Sequence, residues 1–153
     1  MKKIIFVVIV LISFNCKSQD IIEMSKLTVN GINILGKDKS ILISNFGQPS
    51  EIVNDYSEMD EKDMYEYKYI GLNVYIINNF VESFVITKNT YLLTTNNIKI
   101  GNNISSIENI FPNSYKIRNR DYLKLDVEDS DMFLTIEFNP SLNNISKINI
   151  GNY

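Results

Sequence analysis

Apolar and polar residues alternate along six stretches of the chain, three before residue 90 and three after it. Alternation with a period of two is typical of β-strands that bury one side. The first three stretches are MYEYKY, LNVYIIN and VESFVITK, and the later three are DYLKLDV, MFLTIEF and ISKINI. Gly71 and the pair Asn78 and Asn79 fall between stretches, at positions typical of tight turns. Each half is therefore predicted to contain a meander of three antiparallel strands.

The alternation also predicts which side chains face the core and which face solvent. The predicted core side consists of apolar residues on five of the strands: Leu72, Val74, Ile76, Phe84, Ile86, Leu123, Leu125, Leu134, Ile136, Ile148 and Ile150. On the opposite side the pattern places Tyr75, Tyr122 and Phe133, whose large side chains are harder to explain by folding. We predict that these three residues belong to a surface that binds a partner.

Three alternate tyrosines, Tyr65, Tyr67 and Tyr69, project to one side of the first predicted strand. A ladder of tyrosines can form a binding surface. It can also belong to the core, because tyrosine is a good strand residue and the equivalent positions in the second half are apolar. We favour the core for these three side chains.

A different spacing, with apolar residues three or four positions apart, occurs between residues 34 and 51 and predicts a short amphipathic helix. We expect a glycine with a positive φ to end the preceding strand and an acidic residue to cap the helix. Two apolar side chains of the helix should face the core, and a glycine followed by a proline should end the helix. The residues in these roles are Gly36, Asp38, Leu42, Phe46, Gly47 and Pro49. The segment is thus predicted to link two strands through one capped helix.

The same pattern recurs 65 residues later, where LLTTNNIKIGNNISSIENIFPNSYKI aligns without a gap with LTVNGINILGKDKSILISNFGQPSEI. The equivalent residues are Gly101, Asn103, Ile107 and Phe111, and Pro112 is predicted to end the second helix. The predicted fold class is α+β, with two tandem units that each combine a short helical segment with an antiparallel meander. The two sheets would lie side by side with the helices on one face.

A single unit of about 65 residues would bury too little apolar surface to be stable alone. The predicted organisation is therefore a signal peptide at residues 1–19, a first repeat at residues 20–90 and a second repeat at residues 91–153. The two repeats are expected to pack as one body.

Residues 1–19 have the layout of a bacterial secretory signal, with two lysines, an apolar run, and then small or polar residues. The run is too short to span a bilayer comfortably. Two modes of processing are open: acylation of Cys16, which lies where a lipoprotein signal places its cysteine, or ordinary cleavage after Ser18. We favour acylation, although Phe14 departs from the usual lipobox. The segment predicts an exported, lipid-anchored protein of the outer membrane or periplasm.

The composition limits the chemistry that the chain can perform, because it contains no histidine and one cysteine. These counts exclude Ser-His and Cys-His catalysis, histidine-ligated metals and a disulfide within one chain. Acidic clusters at residues 58–63 and 126–131 could supply oxygen ligands to calcium, but they lack the order of an EF-hand, so we interpret them as solvated charge. We predict no catalytic residue, no metal and no cofactor, and a carboxylate-based hydrolase is disfavoured.

The charge of the chain bears on its partners. The net charge is −3, and removal of Lys2, Lys3 and Lys17 with a signal peptide takes it to −6. Binding to nucleic acid phosphates requires a basic face. We therefore expect no nucleic-acid partner.

The spacing from Gly36 to Pro49 resembles that of the SmpA/OmlA family. An aliphatic residue lies six positions after the first glycine, a hydrophobic residue lies ten positions after it, and Gly47 lies eleven positions after it. This family is the small lipoprotein of the outer-membrane barrel-assembly machinery, which has one unit where this chain has two. The tandem arrangement resembles the beta-lactamase-inhibitor protein, which has two such units. The resemblance implies a non-enzymatic envelope protein that binds other proteins with its sheet or its loops.

The function predicted from these observations is an exported envelope module that binds a protein or acts as a scaffold, with an unidentified envelope protein as partner. If Cys16 is acylated, the lipid also attaches the module to a membrane. The alternative is a secreted or periplasmic inhibitor of an enzyme or toxin.

Overall fold

The computed structural model describes residues 18–58, 61–93 and 97–152, and strands predominate over helices in these residues. The strands are β1 (Ile21–Ile22), β2 (Thr28–Val29), β3 (Ile32–Asn33), β4 (Glu51–Ser57), β5 (Lys62–Tyr69), β6 (Leu72–Ile77), β7 (Phe80–Ile86), β8 (Leu92–Leu93), β9 (Ile98–Lys99), β10 (Tyr122–Val127), β11 (Phe133–Asn139) and β12 (Asn144–Gly151). The helices are α1 (Ser40–Phe46) and α2 (Pro112–Lys116), with 3₁₀ turns at Met24–Lys26 and Ile104–Ile107.

The strands of the described chain form two sheets of unequal size. The large sheet has eight strands in the order β1-β10-β11-β12-β7-β6-β5-β4, and the small one has four in the order β3-β2-β8-β9. All neighbours in the large sheet are antiparallel except β1, which pairs in parallel with β10. No helix among the described residues is long and apolar enough to cross a membrane.

The predicted α+β fold of two tandem units with separate sheets is wrong. The chain is mostly β-structure, and β12 pairs directly with β7, with Ile148 opposite Ile86 and Ile150 opposite Phe84. This pairing satisfies two strand edges that would otherwise be left open, so both meanders become parts of one mixed sheet. The limits at residues 90 and 91 fall between β7 and β8, and those predicted domain limits stay a prediction.

Local turn chemistry explains how β5, β6 and β7 follow one another. Asn78 and Asn79 connect β6 to β7 with φ values of 52° and 71°, which is the left-handed conformation that a two-residue hairpin turn requires. Gly71, between β5 and β6, has a φ of 100°, and a Cβ placed there would lie 2.5 Å from the Cβ of Lys88. This position is therefore restricted to glycine both by backbone angle and by space.

The first predicted helix is present as α1, with small changes at its start. Asp38 accepts a hydrogen bond at Oδ1 from the Ser40 N–H (2.9 Å), but the residue at the helix N-cap is Lys39. Hydrogen bonds from Ser40 lower the pKa of the Asp38 carboxyl. At the other end, Gly47 has a φ of 78° and donates its N–H to the Ile43 carbonyl (3.0 Å). The glycine thus ends α1, as predicted.

The second predicted helix is divided, and Pro112 begins a helix instead of ending one. Asn103 caps the 3₁₀ turn through a hydrogen bond from the Ser105 N–H to Oδ1 (2.9 Å). Phe111 then leaves helical geometry, with φ −132° and ψ 69°, because a residue before proline is sterically disfavoured in the α region. Pro112 has no N–H to satisfy and suits the first position of α2. The prediction for Pro112 was wrong because it considered only the helix-breaking property of proline.

The hydrophobic core lies on one side of the large sheet, here called the inner face. All eleven side chains predicted to face the core are buried. Side chains from outside the large sheet cover the inner face. They are Leu42 of α1, Ile104 and Ile107 of the second 3₁₀ turn, Leu93 of β8 and Leu27, which directly precedes β2. The packing prediction from the period-two pattern is thus confirmed.

The tyrosine ladder of β5 is only partly in this core. Tyr67 and Tyr69 are buried, and the Tyr69 ring packs edge-on against Phe46 with centroids 6.0 Å apart. Tyr65 is 40% exposed, so its predicted place in the core is wrong. Tyr65 lies further toward the tip of the β4–β5 hairpin than the other two tyrosines.

Candidate binding surface

The side of the large sheet opposite the core, here called the outer face, carries side chains that stay partly exposed along nearly its whole width. One row of directly opposed residues crosses seven strands in register. This row consists of Glu51, Lys68, Asn73, Val85, Asn149, Thr135 and Lys124. Six of the seven are not fully buried, and Thr135 is the exception. The large sheet therefore buries one side and presents the other to solvent, as antiparallel sheets commonly do.

The three aromatic residues predicted as a partner surface all lie on the outer face, but they do not form one cluster. Tyr75 and Phe133 share a row, separated by Ser83 and Gly151 on the strands between them. Three strand spacings put them about 14 Å apart. Tyr122 is opposite Glu137 in a different row. The residues thus lie on one surface at a spacing suited to a broad contact.

Charged groups at the β4 end of the outer face form a connected ladder. The Lys68 Nζ lies 3.2 Å from Glu51 Oε2 and 3.7 Å from Glu66 Oε2. The hydrogen bond to Glu51 raises the pKa of the Lys68 ammonium. The Asn73 Nδ2 donates to Glu66 Oε1 at 2.7 Å, and burial, followed by the nearby Glu66 carboxylate, raises the pKa of the Tyr75 hydroxyl. These charges are already compensated before any partner arrives.

The other end of the outer face has two similar contacts. The Lys147 Nζ donates to Glu137 Oε1 at 2.7 Å across β11 and β12. The Lys124 Nζ lies 4.1 Å from the centre of the Phe133 ring, within the range of a cation–π interaction. Phe133 therefore has one side of its ring in contact with a cation, which limits its rotation.

A depression of 740 Å³ opens at this end, and Tyr122, Lys124, Thr135 and Glu137 are among its lining residues. The Thr135 side chain is buried, and its Oγ1 has no hydrogen-bond partner among the described residues. A buried hydroxyl without a partner is unfavourable and uncommon in native proteins. Sequence reasoning missed Thr135, because a threonine at an outward position of a strand is ordinary.

The remaining predicted sites have different outcomes. Cys16 lies outside the described residues. Among the described residues, no group of three or more histidine, cysteine or acidic side chains is placed to hold a metal ion. In the acidic segment at residues 126–131, Asp126 lies on the outer face opposite Phe133, while Glu128 and Asp129 lie in the turn after β10.

The residues aligned in the repeat share local geometry at their start. Gly36 and Gly101 have φ values of 66° and 89°. Their N–H groups donate to Val81 and Ile145 carbonyls, each at 2.8 Å. After this point the two segments diverge into α1 and the divided 3₁₀ turn and α2.

Comparison with known proteins gives a structural likeness without a family. No protein-family model matches the chain, and no curated protein matches it. An extracellular protein containing an SCP domain, from Bacillus anthracis str. Ames, is similar with a TM-score of 0.57 and 12% identity, over 78% of this chain and 44% of that one. A cysteine-rich secretory protein from Staphylococcus aureus subsp. aureus Mu50 is similar with a TM-score of 0.56 and 15% identity, over 87% of this chain and 50% of that one.

The chain thus spans about half the length of each of these two proteins. At such identities the likeness shows the fold alone. This structural likeness, together with the eight-stranded mixed sheet that contains both meanders, contradicts the predicted pair of helix-plus-meander units.

Proposed function

We propose that this chain is an exported, non-catalytic module that binds a folded protein of the cell envelope on the outer face of its large sheet. The observation that carries the proposal is the outer face itself, where rows of aromatic, amide and paired charged side chains cross seven strands without a covering element in the described chain. Aromatic side chains are enriched at protein-binding surfaces.

The size of the outer face fits this role. Seven strands span about 29 Å, and six residues along each strand span about 20 Å, so the surface measures about 600 Å² in plan. A standard interface buries about 800 Å² on each partner. One protein that covers the outer face would therefore form an interface of ordinary size.

The chemistry of the outer face favours a folded protein as the occupant. Lys68 and Lys147 already have carboxylate partners, so covering them does not leave isolated buried charges. Tyr75, Tyr122 and Phe133 supply aromatic anchors of the kind that dominate binding energy.

Export is supported by the layout of residues 1–19 and by the structural neighbours, which are described as extracellular and secretory. If Cys16 carries a lipid, it lies four positions before Asp20 in the sequence, and a fully extended chain of that length spans at most about 14 Å. Asp20 is fixed to α2 through the Ser114 backbone N–H (2.8 Å). An acylated protein would then hold its β1 edge close to the membrane.

Photo-crosslinking identifies the partner before affinity is measured. A photoreactive residue at Val85, in the centre of the outer face, is expected to capture one envelope protein, while the same residue at Leu142 captures none. Leu142 is 67% exposed in a turn and is the matched control. Mass spectrometry of the mature N-terminus of the same preparation tests acylation of Cys16.

The identified protein is then purified and titrated against this chain by calorimetry. Tyr75→Ala combined with Phe133→Ala is expected to weaken a one-to-one complex about 100-fold or more, as loss of two anchors of about 1.4 kcal/mol each requires. Leu142→Ala should leave the affinity unchanged. Equal affinities of both variants would overturn the proposal. If the partner is an enzyme, a fall in its turnover within the complex identifies this chain as its inhibitor.

Thr135→Val separates binding from stability. The isosteric valine removes a buried unsatisfied hydroxyl. The free energy of unfolding of the unbound protein should therefore stay the same or rise by up to about 1 kcal/mol. The affinity for the partner should stay the same, because the Thr135 hydroxyl is buried and out of reach of a group on the partner. A variant that keeps its stability and binds more weakly would show that the buried hydroxyl does take part in binding.

A further inference from the structure

Strand β4 forms the last strand at one end of the large sheet, and it pairs only with β5 among the described residues. Five of its seven residues are exposed, including successive residues that point to opposite sides of the sheet. An edge of this length, which no other described strand covers, is a template for the addition of another strand.

Large apolar side chains gather at this edge. Ile52 and Tyr56 of β4 are 52% and 53% exposed, and Tyr65 of β5 is 40% exposed. Ile52 is opposite Tyr67 and Asn54 is opposite Tyr65, so these side chains extend the inner face beyond the reach of the core. Neighbouring apolar groups left exposed in this way indicate an interaction site.

We infer that two copies pair antiparallel along this edge, with Asn54 of one opposite Asn54 of the other. A twofold axis perpendicular to the sheet keeps both inner faces on the same side. Ile52 of each copy then lies opposite Tyr56 of the other, and the pairing forms two apolar cross-strand pairs.

The acidic residues of β4 make this register specific. With Asn54 at the centre, Glu51 lies opposite Ser57 and Asp55 opposite Val53, so no carboxylates face each other. Centring the pair on Val53 places Glu51 opposite Asp55, and centring it on Asp55 places that residue opposite its own copy. Like charges directly opposite each other are destabilising, so the neighbouring registers that keep the faces aligned are disfavoured.

The pairing joins two sheets edge to edge and leaves both outer faces uncovered. It is therefore compatible with the proposed binding surface and independent of it. The dimer would present two copies of the outer face on one continuous sheet, which raises the avidity for a partner that is itself repeated.

Disulfide trapping in the full chain, with Cys16→Ser to remove the native cysteine, tests the register directly. In an antiparallel pair, directly opposed Cα atoms lie about 4.5–5.5 Å apart, which is within the range of a disulfide. Asn54→Cys is therefore expected to form a covalent dimer under mild oxidation, at least tenfold more than Ser57→Cys. The two copies of residue 57 would be six residues apart along the strands, about 20 Å.

Charge complementation tests the same contact without a covalent bond. Ile52→Lys and Tyr56→Glu should each weaken the dimer in sedimentation experiments, and an equimolar mixture of the two variants should form a heterodimer, because the new charges then face each other. Tyr75→Ala with Phe133→Ala should dimerise normally. A protein that stays monomeric at 0.1 mM, or equal trapping at residues 54 and 57, would overturn the inference and leave the proposed outer-face function standing.

Discussion

At one end of the large sheet β1 pairs with the last two residues of β10, Asp126 and Val127, whereas at the other end no described strand pairs with the outer edge of β4. The covering at the β10 end is short but specific. The Asp126 N–H donates to the Asp20 carbonyl (3.1 Å) and the Glu128 N–H to the Ile22 carbonyl (2.9 Å). Ile22 is buried, so the added strand also closes the core.

A reciprocal contact fixes this short strand. The Asp20 N–H donates to Ser114 Oγ (2.9 Å), and the Ser114 N–H donates back to Asp20 Oδ2 (2.8 Å). The Asn113 Nδ2 adds a bond to Asp20 Oδ1 (3.0 Å). Asp20 therefore caps α2 although it lies far from α2 in the sequence. These contacts also hold β1 in place, because the pairing of only two residues would not stabilise this strand by itself.

The free end carries charges in place of a covering strand. Glu51 and Asp55 are the acids that disfavour the two registers of β4 self-pairing next to the one inferred above. Natural sheets use edge charges in this way to limit association. The two ends therefore differ, because β1 closes part of the β10 edge while acidic residues line the β4 edge, and three experiments test this contrast.

The largest difference in the free energy of unfolding is expected when one apolar side chain is truncated in β10 and one in β4. Leu125 of β10 is fully buried, and Leu125→Ala should lower the free energy of unfolding by about 2–5 kcal/mol. Ile52→Ala of β4 should change it by about 0.5 kcal/mol or less in the monomer, as surface substitutions do. Urea unfolding at low protein concentration measures both. A loss above about 2 kcal/mol for Ile52→Ala would show that the β4 end is not open.

A smaller effect is expected from removal of the cap. Asp20→Ala should cost about 1–2 kcal/mol, because it leaves the Ser114 N–H of α2 without its acceptor. Hydrogen exchange at the Asp126 and Glu128 amides should accelerate, while exchange in β5 and β6 should stay the same. Glu23→Ala removes an exposed carboxylate three residues later and is the control. Unchanged exchange at residues 126 and 128 would contradict the role given to Asp20.

The smallest effect is expected on the pH dependence of the unfolding free energy at alkaline pH, and it arises from tyrosines in the half of the chain that contains β4. Burial raises the pKa of Tyr69 to about 12 from an ordinary value of 10, and it also raises the pKa of Tyr75 and Tyr91. Between pH 10 and 12 the unfolded chain therefore loses protons that the folded chain keeps, so stability falls as pH rises.

Tyr69→Phe should make this decline shallower, and the hydroxyl contact of Tyr69 with the Gly47 carbonyl (3.3 Å) is lost at every pH. Urea unfolding at intervals from pH 8 to 11 measures the slope. Leu142→Ala removes an exposed side chain that has no titratable group, so this control should leave the slope as it is. The same slope in the wild type and Tyr69→Phe would contradict the assignment.

The sequence by itself determined the local features. Period-two alternation identified the buried residues of the large sheet, and it also placed Tyr75, Tyr122 and Phe133 on the side away from the core. Gly47 was predicted to end α1 because its backbone requirement is local. The division of the second helix was also local, since the preference of proline for the first helical position was available at Pro112 and was not used.

Only the tertiary structure decided how these pieces are joined. Alternation shows which side of a strand is buried but not which strand lies beside it, so the pairing of β12 with β7 and of β1 with β10 could not be read from the pattern. The unpartnered hydroxyl of Thr135 depends on neighbours from adjacent strands. The free edge of β4 likewise follows from strand order, because an edge exists only once every other strand has found its neighbours.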